Sequence, residues 1–262
     1  MSDSALSPIV QWLDEPSLRS IYSSQYWNDL DGEKSKEWWI ADGGPGAFAR
    51  LQSYLDESGL MEGYRVAERY VAQIPAQGLA VADLAAGIGW TSSLFSRLPN
   101  VGSVQAVELS QHRLELLFPQ AVRMFAGDPA KLQRNLGSFY EMAFTDESMD
   151  VVFISAAFHH ASKPLRLLVE IDRVLKPGGK LILIGENFVG GAAIVRRMIK
   201  MLLRERKFCS NFYELFPPDE MAGDHYYRVS DYYLFLQMIG YELLEVSVQK
   251  KAMAAFIAEK ST

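Results

Sequence analysis

The chain has 262 residues, of which 49% are hydrophobic and 12% aromatic, enough to bury the core of one large α/β domain or of two small ones. Its formal net charge of −6 argues against a broad polyanion-binding surface, so we expect no nucleic-acid partner. A single cysteine, Cys209, allows no intramolecular disulfide, and the N-terminus shows no signal-peptide pattern. No apolar run approaches the roughly 20 residues that cross a bilayer. These features predict a cytoplasmic protein without a transmembrane segment.

The first part of the chain, residues 1 to about 78, combines helical periodicity with turn signals such as Asp42-Gly43-Gly44-Pro45-Gly46. Its large aromatic side chains include Trp12, Tyr22, Tyr26, Trp27, Trp38 and Trp39. This pattern predicts an N-terminal helical cap. We expect Tyr22, Tyr26 and Trp27 to close one side of a substrate site.

The remainder, residues 79–262, is expected to form one ligand-binding domain. From about residue 79 to 186, short apolar runs alternate with helical patterns, which is typical of βαβ units and a parallel sheet. The predicted strands are 79–84, 103–109, 131–137, 150–155, 180–186, 241–248 and 252–259. The last two alternate well enough for an antiparallel hairpin. We therefore predict a doubly wound α/β fold with a mostly parallel seven-stranded sheet and a C-terminal antiparallel hairpin.

The third strand has a competitor, since residues 122–126 can take the place of 131–137. We choose the later segment because Pro119 interrupts a helix and Asp128-Pro129 is typical of a turn. A helix is predicted over 163–175, with Ser162 as its N-cap and Lys176-Pro177-Gly178-Gly179 as its end.

A glycine turn joins the first of these strands to a helix, in the segment Asp83-Leu84-Ala85-Ala86-Gly87-Ile88-Gly89. Glycines let the backbone pass close to a ligand at the carboxyl end of a strand. The third glycine of a dinucleotide fingerprint is missing, because Trp90-Thr91-Ser92 follows. The carboxylate of Asp83 would repel a phosphate and suits an ammonium group. The segment therefore indicates a phosphate-free, cationic ligand.

Glu108 ends the second strand, roughly 20 residues beyond the glycine turn. At this position a carboxylate can accept hydrogen bonds from both hydroxyls of a ribose. An acid at a strand end is often a solvated residue or a helix cap. Together with the glycine turn, Glu108 favours a nucleoside ligand.

These residues resemble class I, Rossmann-like S-adenosylmethionine-dependent methyltransferases, in particular those that act on small molecules and lipids. The resemblance covers about residues 79 to 186, with a further match at 240–244. Its motifs are the Asp83–Gly89 turn, Glu108, the segment 137–152, Ala157-Phe158-His159-His160 and the Leu-Lys-Pro-Gly-Gly turn at 175–179. It implies S-adenosylmethionine as the cofactor.

The resemblance also implies a set of cofactor-binding residues. The methionine end would be held by Asp83 and the backbone of Ala85, Ala86, Gly87 and Gly89. The ribose would be bound by Glu108, and the adenine by Leu109, Ser138 and Phe139. The family often has an aspartate where Ser138 stands, and Asp128 is the alternative if the third strand is misplaced. Phe158 would line the sulfonium end.

Methyl transfer from a sulfonium to an oxygen, nitrogen or carbon nucleophile is an in-line displacement that disperses charge, so alignment and exclusion of water account for much of the catalysis. A base is optional, but with a hydroxyl or phenol acceptor a nearby histidine would help to remove the proton. His159 and His160 are placed where the reacting end is expected, and we predict that one of them takes the proton. No metal ligands are predicted.

The acceptor side is expected in an insertion at about 187–230, which would act as a lid. Residues 192–207 form an amphipathic pattern with Arg196, Lys200, Arg204 and Lys207 on one face. The opposite face carries Ile194, Val195, Met198, Met201 and Leu202. This basic face can guide an anionic acceptor, a carrier protein or a membrane headgroup layer, or it is the solvated side of a lid helix. The aromatic segment that follows indicates an apolar acceptor pocket; it comprises Phe208, Phe212, Tyr213, Phe216, His225, Tyr226 and Tyr227.

Two other functions compete with a small-molecule methyltransferase. One is an NAD-dependent oxidoreductase, which the missing third glycine and Asp83 disfavour. The other is a regulator or partner subunit that binds S-adenosylmethionine and transfers nothing. A monomer or a homodimer fits the sequence equally well.

Overall fold

A computed structural model describes residues 6–17, 44, 46–219 and 223–261 of the chain. Its strands are β1 (Val10–Gln11), β2 (Leu79–Leu84), β3 (Val101–Glu108), β4 (Leu132–Leu136), β5 (Met149–Ser155), β6 (Leu175–Asn187), β7 (Tyr241–Gln249) and β8 (Met253–Lys260). They form one sheet in the order β1-β4-β3-β2-β5-β6-β8-β7.

The helices in the described ranges pack on both faces of this sheet. They are α1 (Ala47–Ser58), α2 (Leu60–Ala72), α3 (Trp90–Phe95), α4 (Phe118–Met124), α5 (Pro164–Val174), α6 (Gly191–Lys200), α7 (Phe212–Leu215) and α8 (Val229–Met238). Single π-helical turns at Arg113–Leu117 and Met201–Glu205 and short 3₁₀ turns connect several of them. Within the described residues, no helix is long and apolar enough to span a membrane.

The central strands β2 and β5 run parallel to each other and are buried along nearly their whole length. Continuous apolar runs of this kind are expected when helices cover both faces of a parallel sheet. The chain proceeds from β2 outwards to β3 and β4, and then returns to β5 on the other side of β2. The strand order therefore reverses at β2, which opens a crevice at the carboxyl ends of β2 and β5.

The doubly wound α/β fold is confirmed, with an antiparallel pairing of β6 with β8 and of β8 with β7 at one side. The third strand lies at Leu132–Leu136, as chosen, and the competing segment 122–126 lies mostly in α4.

Eight strands replace the expected seven. The additional one is β1, a pair of residues that lies parallel to β4 at the edge of the sheet. The amide of Trp12 continues this pairing by donating to the carbonyl of Leu136. Two residues are too short for a periodic signal, which explains why the sequence predicts a helix here.

Two local predictions around α5 are wrong. Ser162 does not cap the helix: Lys163 holds the N-cap position without a side-chain hydrogen bond, and Ser162 Oγ lies 3.5 Å from the hydroxyl of Tyr140. The Lys-Pro-Gly-Gly segment does not separate helix from strand either, because β6 already begins at Leu175 and its pairing with β5 shifts register beyond that residue. The carboxyl ends of the strands are unaffected by this shift.

The N-terminal helices α1 and α2 cover one face of the sheet. Tyr64 of α2 is buried there, with ring centroids 5.8 Å from Trp90 and 5.1 Å from Phe95. The expected contributions of Tyr22, Tyr26, Trp27, Trp38 and Trp39 lie outside the described residues. The division into a cap at 1–78 and a domain at 79–262 stays a prediction.

Candidate functional site

The loop that follows β2 has an unusual backbone. Ala85, Gly87 and Gly89 have φ angles of 52°, 57° and 80°, which lie in the left-handed region. A side chain at Gly89 would also overlap the ring of Phe118, so this position requires glycine for two reasons. No atom lies within 4 Å of where a side chain at Gly87 would begin. The loop is therefore wound tightly against α4 on one side and open on the other.

Asp83 lies at the end of β2 and is fully buried. Its Oδ2 accepts hydrogen bonds from Thr91 Oγ1 at 2.7 Å and from Ser92 Oγ at 2.5 Å. Its Oδ1 is buried and has no hydrogen-bond partner among the described residues. Burial raises the pKa of Asp83 to about 6, although the hydroxyls of Ser92 and Thr91 stabilise the charged form. A buried carboxylate with one oxygen that lacks a hydrogen bond costs folding free energy unless a donor or a cation binds that oxygen.

Glu108 ends β3 beside the same loop and is 3% exposed. Its Oε2 accepts from the amide of Gly87 at 2.7 Å, and its Oε1 accepts from the amides of Leu109 and Ser110 at 2.9 and 3.0 Å. Arg113 lies 3.6 Å away. A carboxylate offers about four lone-pair sites, so these three N–H donors leave room for another donor. Glu108 thereby joins the carboxyl ends of β2 and β3.

The segment after β4 holds the next predicted site residues. Ser138 forms an isolated bridge with Glu141, and its Oγ accepts from the amide of Tyr140 at 3.1 Å. The ring of Phe139 packs edge-on against Tyr140, with centroids 4.7 Å apart. Asp128 instead caps the 3₁₀ turn that precedes β4, by accepting from the amide of Ala130.

A bulge near the end of β6 places a carboxylate at the carboxyl end of β5. The pairing of β6 with β8 shifts register between Leu183 and Glu186, and Gly185 supplies a φ of 65° in this interval. Glu186 is fully buried and accepts hydrogen bonds from the amides of Ala157, Phe158 and His159 at 3.0–3.1 Å. One buried side chain therefore fixes the whole turn that follows β5.

The same carboxylate also orients an imidazole. His159 Nδ1 lies 2.8 Å from Glu186 Oε2, and His159 Nε2 lies 3.9 Å from Asp224 Oδ1. The neighbouring His160 has its Nδ1 3.0 Å from the same oxygen of Asp224. The two imidazole rings are 4.3 Å apart. Asp224 belongs to the segment 187–230 that the sequence predicts as a lid, so this segment and the sheet edge meet at the two histidines.

The pKa values of the two histidines are shifted in opposite directions. Burial disfavours the charged form of His159, but the charge and hydrogen bond of Glu186, together with Asp224, outweigh burial and raise its pKa above the usual histidine value. Burial and the charge of His159 lower the pKa of His160, although Asp224 acts against them. His160 is 35% exposed, whereas His159 is buried. A pair of groups separated in this way is typical of acid and base roles.

Phe158 does not face an open cleft. Its side chain is 1% exposed and packs against Tyr227, Tyr232 and Phe235 in the apolar core between the sheet and α8. The side chain of Phe158 thus contacts the core, and its contact with the sulfonium end stays a prediction. An apolar residue directly after a strand is more easily accommodated by the core than by a ligand.

A cavity of about 230 Å³ lies next to this cluster, at the carboxyl end of β6. Its wall comprises Asn187, Phe188, Val189, Ala193, Phe216, Tyr226, Lys251 and Ala252. The lining is mostly apolar, and Ala193 belongs to α6. A second cavity, of about 480 Å³, lies at the amino ends of β5 and β6 around Asp150 and Lys176. Ligands of open α/β sheets bind at the carboxyl ends, which favours the first cavity.

The carboxyl edge of the sheet therefore gathers Asp83, Glu108 and the glycine loop on one side and the two histidines on the other. Two further acids of this edge, Glu186 and Asp224, are not among the site residues predicted from the sequence. Glu186 could have been predicted, because it ends the strand beside β5 and the carboxyl ends of parallel neighbours meet at one edge. Asp224 had none, since it comes from the lid segment.

Comparison with known families matches residues 82–183 to a family described as a methyltransferase domain. Residues 82–183 are a class I S-adenosylmethionine-dependent methyltransferase domain. The match runs from β2 to β6 and so includes the glycine loop, Glu108 and both histidines. The cofactor of this domain class is S-adenosylmethionine.

Relatives of known name match the same part of the methyltransferase domain. The chain is 31% identical over 107 residues to a demethylmenaquinone methyltransferase of Staphylococcus aureus, over 40% of this chain and 42% of that protein. It is 32% identical over 107 residues to a dimethylglycine N-methyltransferase of Parasynechococcus marenigrum, over 39% and 36%. The chain thus spans about two fifths of the length of these relatives.

Solved structures extend the likeness of fold beyond this segment. A S-adenosylmethionine-dependent methyltransferase from Aquifex aeolicus matches with a TM-score of 0.55 at 18% identity, over 82% of this chain and 98% of that one. A S-adenosylmethionine-dependent methyltransferase from Mesorhizobium loti matches with a TM-score of 0.54 at 15% identity, over 75% and 98%. The methyltransferase fold therefore includes elements outside residues 82–183.

Proposed function

We propose that this protein transfers the methyl group of S-adenosylmethionine to a small-molecule acceptor with an apolar body. The observation that carries the proposal is the meeting of two groups at one sheet edge. One is the glycine loop with Asp83 and Glu108, and the other is the imidazole pair held by Glu186.

The glycine loop with Asp83 and Glu108, which we call the cofactor half, fits a ligand that has a cationic group at one end and a nucleoside at the other. The buried oxygen Asp83 Oδ1 lacks a donor among the described residues, which an ammonium group can supply. Glu108 keeps acceptor capacity for ribose hydroxyls, and Ser138 and Phe139 offer backbone amides and a ring for adenine. When bound, S-adenosylmethionine supplies a methyl group on a positively charged sulfur.

On the acceptor side, we assign proton acceptance to His160. Its pKa is lowered, so the ring is neutral at physiological pH, and it is the more exposed of the two histidines. His159 is a positioning residue, because Glu186 fixes its ring and its raised pKa favours the charged form. Together with burial, positive charge on His159 lowers the pKa of His160 and so favours the neutral ring that can accept the acceptor's proton.

The acceptor is proposed to occupy the cavity at the end of β6. Its walls of Phe188, Val189, Phe216 and Tyr226 favour an apolar or aromatic body, and Lys251 favours an oxygen or a negative charge at its rim. One relative of known name is a demethylmenaquinone methyltransferase and another a dimethylglycine N-methyltransferase. The apolar walls favour acceptors closer in chemistry to a quinol than to an amino acid.

Two measurements test the proposal. Calorimetric titration with S-adenosylmethionine, its demethylated product and NAD is expected to show binding of the first two only. Incubation with isotopically methyl-labelled S-adenosylmethionine and a panel of phenols, quinols and amines is expected to label an apolar hydroxylated acceptor. Binding of NAD alone would refute the proposal. Tight binding of S-adenosylmethionine without methyl transfer to any acceptor class would leave a regulator in its place.

A further inference from the structure

The lid helix α6 and the π-helical turn Met201–Glu205 that continues it carry a row of exposed apolar side chains that the fold does not use. Val195, Ile199, Leu202 and Leu203 recur at helical spacing and are 54%, 50%, 50% and 74% exposed. The face that the sequence predicts as apolar is therefore divided, because Val195 and Leu202 of that face are exposed to solvent. A different row, Ile194, Met198 and Met201, contacts the small core formed with Cys209 and Leu215.

Basic side chains border the exposed row. Arg196, Lys200 and Arg204 follow one another at four-residue intervals along its edge, and Lys207 continues them. Residues 191–216 contain six basic and two acidic side chains, hence a net charge of +4, whereas the whole chain carries −6. Positive charge is therefore concentrated on the one segment that exposes apolar side chains in a row.

We propose that α6 docks the protein onto an anionic lipid surface. The side chains that enter the lipids are those of the exposed row: Val195, Ile199, Leu202 and Leu203. Apolar side chains bordered by lysine and arginine on a helix that lies flat are the features of interfacial membrane binding. The exposed ring of Phe208 lies just beyond the same helix and adds apolar area. The acidic remainder of the protein is repelled by a negative surface, so that the molecule approaches with α6 first.

Other occupants of this surface fit less well. A second copy that docked symmetrically through α6 would bring two segments of charge +4 together, which is repulsive at short range. A nucleic acid would engage the basic border but would leave the aliphatic row exposed to water. An anionic lipid surface satisfies both the charges and the apolar row. The inference does not depend on the proposed function, since it concerns a surface and needs neither cofactor nor acceptor.

Vesicle flotation with the full chain tests this docking. We expect the protein to float with phosphatidylcholine vesicles that contain phosphatidylglycerol, not with phosphatidylcholine alone, and to be released by salt because the attraction is partly electrostatic. Arg196→Glu combined with Lys200→Glu is expected to weaken binding at least about tenfold, and Val195→Glu to do so by about tenfold.

Matched controls separate docking from a general effect of charge. Val169→Glu changes a valine on α5 that is 62% exposed, and Arg123→Glu reverses an exposed charge on α4; both variants are expected to bind vesicles as the unchanged protein does. Equal loss in Val169→Glu and Val195→Glu, or no flotation with either vesicle, would overturn the proposal. A dimer in light scattering that Val195→Glu dissociates, without vesicle binding, would replace the membrane by a second copy.

Discussion

The cofactor half and the acceptor half of this sheet edge are built on different principles. In the cofactor half, Glu108 and the glycine loop hold each other through backbone amides of consecutive, local segments. In the acceptor half, Glu186 of β6 holds the turn after β5 over a similar distance along the chain, but Asp224 comes from the predicted lid, about 60 residues beyond the histidines. The first half is thus a cradle made by two adjacent strand ends, and the second also needs Asp224 from the predicted lid.

This difference predicts which substitutions lower the rate of methyl transfer and which lower the affinity for the cofactor. Changes in the acceptor half affect the rate of transfer, whereas changes in the cradle affect stability and cofactor affinity. Replacements at four places in the site test the distinction, from the largest expected effect to the smallest.

Replacing His160 tests the chemical role of the acceptor half. We expect His160→Asn to lower kcat about 10²–10⁴-fold for a hydroxyl acceptor, because no neutral imidazole remains to take the proton. The rate of the unchanged protein is expected to fall as the pH drops through the pKa of His160, which lies below the usual histidine value. An unchanged kcat in His160→Asn would mean that alignment alone drives the transfer.

Replacing the loop glycines tests the rigidity of the cradle. Gly89→Ala introduces both an unfavourable φ and an overlap with Phe118, so we expect a loss of about 2–5 kcal/mol in the free energy of unfolding. Gly87→Ala meets open space and is expected to cost only about 1–2 kcal/mol, from its φ alone. Urea denaturation of both variants measures the difference. Equal losses would show that Phe118 gives way and that the cradle is softer than inferred.

The same contrast explains what the sequence predicts well. The bounds of β2 and the placement of β4 follow from local apolar runs and from a proline turn. The structure has both strands where these local patterns predict them. The roles proposed for Asp83 and Glu108 rest on the spacing of two strand ends. Such features are encoded within segments of about 30 residues, as expected for a βαβ unit.

Other features are not encoded locally. The bulge that positions Glu186 depends on how β6 pairs with β8, a strand about 70 residues further along the chain. Likewise, periodicity finds the apolar side chains of α6 but not that Met198 packs inward while Val195 stays exposed. That choice depends on the tertiary position of the lid, for which the sequence carries no local signal.

Replacing Asp83 tests the cationic pocket of the cradle. We expect Asp83→Asn to raise the Kd for S-adenosylmethionine about 10–100-fold, because a charged hydrogen bond to the ammonium is lost. The pKa of Asp83 is about 6, and an ammonium favours its charged form. Affinity of the unchanged protein should therefore be highest above pH 6 and weaken as the pH falls through this value.

The variant itself provides part of the control, since its affinity should no longer depend on pH in this range. Asp128→Asn removes an acid that only caps a turn, and its Kd is expected to match that of the unchanged protein. Calorimetric titration at several pH values measures both. A pH-independent affinity of the unchanged protein would contradict the contact between Asp83 and the ammonium.

Replacing Asp224 tests how the lid completes the acceptor half, with the smallest expected effect. Its carboxylate favours the charged forms of both histidines, yet burial and Glu186 act more strongly on His159. We therefore expect Asp224→Asn to lower the pKa of each histidine by less than about one unit, measured by NMR titration of the ring protons. Asp56→Asn on α1 is the control and should shift neither value. Removal of this acid keeps His160 neutral to lower pH. The acid limb of the pH–rate profile should therefore move to lower pH together with the pKa of His160. An acid limb that stays in place while this pKa falls would show that His160 does not take the proton.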